Sequence, residues 1–196
     1  MYPSIMESDF KITTTPIPDT DNKLMNEIDK KDFMQISSSL VHHKVNNYMV
    51  TLSKLLKLKE KYPEHKRIYN LIGICYQILG DSDSLEKIII ETYQRFPNYL
   101  FAKTGYVSYW MSKNDYSKFE EVFDGKYNLK SIYPSRDEFH VTEAITFFFV
   151  CGRYFASKRK LSIAKKYKNM IFELSPSSRE VMILHQDILS AQRMRK

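Results

Sequence analysis

A chain of 196 residues with 43% hydrophobic and 14% aromatic residues is large enough to bury a sizeable core, and only five Gly and seven Pro exclude a fibrous or low-complexity protein. The formal charge of +7 is concentrated at the C-terminal end, where residues 153–196 hold 11 Lys and Arg against three acids, a pattern that suits a solvated helix face or attracts phosphate. Cys75 and Cys151 sit in apolar helical stretches and argue against a disulfide framework, while the absence of a signal-like N-terminus or of ~18 consecutive apolar residues points to a cytoplasmic protein without a membrane span.

Residues 1–22 mix Pro3, Pro16 and Pro18 with Ser, Thr and Asp, show no helical period, and are expected to form a flexible arm. A helical repeat domain is predicted over 23–196. Leu24, Ile28, Phe33, Ile36 and Leu40 keep a spacing near 3.6, and Tyr48, Leu52, Leu55, Leu56 and Tyr62 resume it after a polar step. These make one antiparallel helix pair, a unit of about 32–65, which stops at Tyr62 because Pro63 denies that residue an α conformation.

The unit at 66–99 is the clearest. Ile68, Tyr69, Ile72, Tyr76 and Leu79 form the apolar face of its first helix, Gly80 and Asp81 open the turn, and Leu85, Ile88, Ile89, Tyr93 and Phe96 face the second before Pro97. The third unit, 100–142, repeats only the apolar face with Tyr106, Trp110, Phe119 and Phe123; its closing proline is missing in phase, and an insertion is placed at 124–140. The fourth, 143–176, restores the pattern with Phe148, Cys151, Gly152, Phe155, Ala164, Ile171 and Pro176. Residues 179–195 then read as an amphipathic capping helix with Val181, Leu184, Ile188 and Leu189 on one side.

Pro63 and Pro97 are 34 residues apart, and in the second unit Tyr69, Ile72, Gly73, Tyr76, Leu85, Ile89 and Pro97 fall in fixed phases. This arrangement resembles the tetratricopeptide repeat (TPR), although Leu85 stands where that family prefers a small residue. The resemblance implies an all-α fold, a right-handed solenoid of antiparallel helix pairs ending in a capping helix. It also implies that Gly73 lets the paired helix come close. A partner would lie in a concave groove lined by the first helix of each pair. Carried onto this sequence, the groove phases are Phe33, Ile36, Leu40 and His43; Arg67, Asn70, Ile74 and Gln77; Phe101, Thr104, Ser108 and Met111; and Phe149 with Arg153. The Lys and Asn positions that clamp a chaperone's terminal carboxylate in some such proteins are occupied here by Asn70, Ile74, Phe101 and Gly105, which do not support that use.

Catalytic signals are lacking: there is no Gly-rich phosphate loop, H-E-x-x-H, C-x-x-C or G-x-S-x-G. His42 and His43 are adjacent and cannot face one ion from a helix. His140 and Glu143 could share a helix face near Asp137 and Glu138, but capping of a helix near Phe139 by Asp137 or Ser135 explains these residues better than a metal does. The sequence is therefore read as a non-catalytic module with no cofactor or metal. Its expected partner is a peptide or amphipathic helix of another protein, or a second copy of the chain. Nucleic acid held by the basic C-terminal segment is the alternative.

Overall fold

The structure, a computed structural model, describes residues 10–15, 23, 25–41 and 45–193. Among these are ten helices and two short strands, so the chain is all-helical in class. The chain divides into two compact units, one formed by residues 18–106 and the other by 1–17 together with 107–196.

In the first unit the helices are α1 (Glu27–Val41), α2 (Tyr48–Lys61), α3 (Lys66–Leu79) and α4 (Ser82–Arg95), followed by the start of α5 (Leu100–Ser112). Asn47 caps α2 by accepting from the Met49 and Val50 N–H groups at 3.0 and 3.2 Å, and Asp81 caps α4 through Ser84 N–H at 3.0 Å. Helix α3 packs against both α2 and α4, burying Ile68, Tyr69, Leu71, Ile72 and Cys75 against Leu52, Leu55 and Ile88. Tyr69 keeps its polar end satisfied by donating to the Pro63 carbonyl at 2.8 Å while its ring meets Phe96 edge-on.

One expectation changes in α1. Its buried side follows Phe33, Ser37 and Leu40, and Ile28 lies ~140° around the helix from Phe33 at 100° per residue. Ile28 is accordingly 76% exposed. Leu24, His42 and His43 lie outside the described residues, as do 1–9, 16–22 and 194–196.

The second unit contains the end of α5, then α6 (Ser117–Phe123), α7 (Leu129–Ile132), β2 (Glu138–His140), α8 (Val141–Ser157), α9 (Leu161–Leu174) and α10 (Arg179–Arg193). Strand β1 (Lys11–Thr13) belongs to it as well, lying parallel to β2 with Lys11, Ile12 and Thr13 opposite Glu138, Phe139 and His140. Part of the segment expected to be a flexible arm is therefore an ordered strand. Helix α8 packs on α9, α10 and the strands, and its Phe147, Phe148, Phe155 and Tyr154 join Phe119, Phe123 and Tyr167 in an aromatic core.

The local backbone repeats more faithfully than the sequence. Gly80, Asn114 and Arg159, after α3, α5 and α8, all take left-handed dihedrals with φ of 74°, 64° and 56°. In each case the next N–H reaches back five residues, from Asp81 to Tyr76, Asp115 to Trp110 and Lys160 to Phe155, at 3.1, 2.9 and 2.9 Å. The closing ends match too. Tyr62, Phe96, Tyr133 and Ser175 each precede a proline, donate to the carbonyl four residues back, and accept from the N–H three residues on.

Pro134 thus corrects the reading of the third unit. Its closing proline is present, 37 residues after Pro97, but the helix before it is broken where Asp124 and Gly125 turn left-handed at φ 50° and 66°. The expected insertion at 124–140 resolves into that break, helix α7, and the short strand β2.

Candidate functional site

On α3, Arg67, Asn70, Ile74 and Gln77 recur at intervals of three and four and share one side of the helix. Arg67, Asn70 and Ile74 are half-buried and Gln77 is exposed. The Arg67 guanidinium donates to the Ser37 hydroxyl of α1 at 2.6 Å and lies 6.0 Å from the Phe33 ring centroid, so its charge is held at the junction of α1 and α3. Phe33 and Leu40, assigned to the same surface by phase, are buried, while Ile36 is half-buried. The remaining strip, Asn70, Ile74 and Gln77, offers an aliphatic contact between two amides that can each donate and accept.

Helix α5 does not present the row its phases suggested. Thr104 is 3% exposed and returns its hydroxyl to the Leu100 carbonyl at 3.0 Å; Met111 is 1% exposed. Both share one side of α5 with the buried Leu100 and Val107, and Ala102 and Tyr109 are buried on the opposite side. Phe101 and Ser108 remain half-buried, Phe101 with its ring edge-on to Tyr99.

On α8, Phe149 and Arg153 come together as expected from their spacing, with the guanidinium 5.5 Å from the Phe149 centroid. Arg153 is already engaged, since its Nε donates to the Asp187 carboxylate of α10 at 2.8 Å. Helix α10 occupies this face of α8. Gly152 explains how: a Cβ there would lie 2.4 Å from a terminal methyl of Leu184, so a larger residue would force the Leu184 side chain to move.

His140 and Glu143 form a cap, with a different residue in the leading part from the one the sequence suggested. His140 is itself the N-cap of α8: its Nδ1 accepts from Thr142 N–H at 3.3 Å, and Glu143 accepts from the His140 N–H at 2.9 Å. Arg136 closes on the Glu143 carboxylate with both terminal nitrogens, one at 2.9 Å. This neutralises a carboxylate that is only 7% exposed. Sequence reasoning missed Arg136, although an Arg seven residues before a buried Glu at a helix start is the kind of signal that could have found it.

No group of three His, Cys, Asp or Glu poised for a metal ion occurs among the described residues. Both cysteines are buried free thiols, and burial pushes Cys75 up to about 11 and Cys151 upward as well. Burial also raises the Tyr154 hydroxyl, reinforced by its hydrogen bond to Glu120, and raises Tyr167, which donates to the Tyr127 carbonyl at 2.7 Å. These groups hold their protons at neutral pH and serve packing. No helix among the described residues is long and apolar enough to cross a membrane.

Compared with known proteins, the chain matches no family model, no curated protein and no solved structure. Its reading therefore rests on its own residues.

Proposed function

We propose that the chain is a cytoplasmic, non-catalytic protein-interaction module built from TPR-like helix pairs stacked in right-handed fashion, and that it holds a peptide or amphipathic helix of a partner protein. The observation that carries this reading is the strip Asn70, Ile74 and Gln77 on α3, left partly open beside the tethered Arg67 although both flanks of the same helix are packed by α2 and α4. An aliphatic side chain between amides suits a helix or extended peptide, whose apolar anchor takes Ile74 and whose backbone or polar groups take the amides. A first helix left partly open between its packed neighbours is the kind of surface that repeat proteins use for binding.

The variant Ile74→Asp with Gln77→Glu places two acids on this strip, and because Ile74 is half-buried against the core of the first unit, circular dichroism first establishes that the variant is folded. Affinity capture from the source cell should lose one specific protein with this variant and retain it with Gln94→Glu on the exposed side of α4. An unchanged set of captured proteins would refute the α3 site.

A second reading is favoured by one observation: Lys158, Arg159, Lys160, Lys165 and Lys166 are all exposed around the turn from α8 to α9. Five cations in nine residues can hold a polyanion such as nucleic acid. Retention on a polyanion column should then fall steeply with salt, and failure to be retained at low salt would remove this reading.

A further inference from the structure

Strand β1 and the strand it pairs with are far apart in sequence, because residues 18–106 between them belong to the first unit. The β1 backbone pairs with β2 and adds one hydrogen bond from Lys11 N–H to the Asp137 carbonyl at 2.8 Å. Phe10 sets its ring edge-on to Phe139 at 5.2 Å, and Lys11 pairs with Glu138 at 3.6 Å. Strand β2 has further anchors besides β1. Phe139 is fully buried, the Arg136 guanidinium sits 4.3 Å from its ring centroid, Arg136 is clamped on Glu143, and His140 caps α8.

The fit of β1 is incomplete. Phe10, Ile12 and Thr13 are only half-buried, and a cavity of about 250 Å³ remains beside Phe10 and Ile12. It is walled by Tyr127, Leu129, Phe148, Tyr167, Met170 and Leu174, with Glu173 also at its lining. A rigid strand edge, an apolar cavity behind it and an acidic residue opposite the middle position together make a receptor for an extended segment.

We propose that the β2 edge and this cavity form a peptide-binding site, separate from the α3 strip, which residues 10–13 occupy in cis and which takes an extended segment of another protein in trans. The ligand carries an aromatic and an aliphatic residue two apart, facing the cavity as Phe10 and Ile12 do, with a Lys or Arg between them facing Glu138. Backbone pairing supplies affinity, and the alternating side chains supply specificity. A side chain larger than Ile12 at the third position enters the space that β1 leaves unfilled, which is how a trans segment overcomes the tethering advantage of the cis one.

The test uses the full chain and a labelled peptide of residues 9–14 (DFKITT), with a control peptide bearing Asp at both apolar positions. Fluorescence anisotropy should show the F10D/I12D chain binding DFKITT about tenfold or more tightly than the wild type does, since the tethered competitor is gone. The control peptide should not bind either chain. A helical F10D/I12D protein that binds DFKITT no better than wild type, or binds both peptides equally, would overturn the site. Should that variant not fold, hydrogen exchange on the unmodified chain decides: millimolar DFKITT should speed exchange at 10–13 while 138–140 stay protected, and unchanged exchange at 10–13 would refute the proposal.

Discussion

The pairs α3–α4 and α8–α9 carry the same phases and solve different packing problems. Gly73 and Gly152 occupy equivalent places, followed three residues later by Tyr76 and Phe155. Yet a Cβ on Gly73 would meet Ile88 at 3.8 Å, an ordinary contact, whereas one on Gly152 would collide with Leu184 at 2.4 Å. The close approach expected at Gly73 is found at Gly152 instead, and it is made to the following helix α10 rather than to the paired helix. A shared sequence phase preserves the backbone turn and the helix stop. How tightly the next helix seats is left to individual side chains.

The difference also tracks exposure. Helix α3 keeps Asn70, Ile74 and Gln77 accessible, while α8 surrenders its Arg153 to Asp187 and its Gly152 to Leu184. Helix α10 thus covers this part of α8, while the α3 strip remains partly open. On the proposed reading the binding face is that of α3, while this face of α8 is used for packing.

The sharpest way to break the comparison is at the clamp that only the second unit has. Arg136→Ala leaves the Glu143 carboxylate buried without its charge partner and should cost about 3 kcal/mol, the lower end expected for a broken buried pair because Arg136 itself is partly exposed. Urea unfolding followed by circular dichroism checks it; a loss under about 1 kcal/mol would place the pair among ordinary surface ion pairs.

Gly152→Ala follows, with about 2 kcal/mol lost to overpacking against Leu184. Combining it with Leu184→Ala should cost less than the sum of the two single changes, since the smaller side chain vacates the space. Gly73→Ala should go the other way and stabilise by roughly 0.5–1 kcal/mol, the helix-propensity gain of Ala over Gly where the methyl fits. Equal effects at both glycines would erase the distinction between the two pairs.

The smallest effect is in the first unit and depends on pH. Lys61 and Tyr62 hydrogen-bond the Asp29 carboxyl and hold it below its usual range. A carboxylate whose folded pKa is lowered contributes stability above its unfolded pKa and loses it as pH falls through the folded value. Below about pH 4 the wild type should therefore lose stability more steeply than Asp29→Asn, and superimposable acid unfolding profiles would show the contact to be worth nothing.

Much of this fold was legible because its strongest signals are local. A proline forces the residue before it out of the α region wherever it occurs, so Pro63, Pro97 and Pro176 could be read directly as helix ends. Pro134 obeys the same rule, but Asp124 and Gly125 break the helix before it and shift its phase, which hid it from a search at a fixed interval. Strand β1 was illegible for a different reason. Three residues carry no period, and their partner lies 127 positions along the chain, Lys11 opposite Glu138. Burial separated true surface from core within the predicted row as well: the spacing that groups Thr104 and Met111 with Phe101 and Ser108 says nothing of the packing that covers the first two.

Hydrogen exchange on the full chain, alone and with the protein it captures, addresses the α3 surface most directly. Binding should slow exchange over residues 67–77, with the α8–α9 turn at 158–160 unaffected. Protection confined to 158–166, with none on α3, would contradict the account.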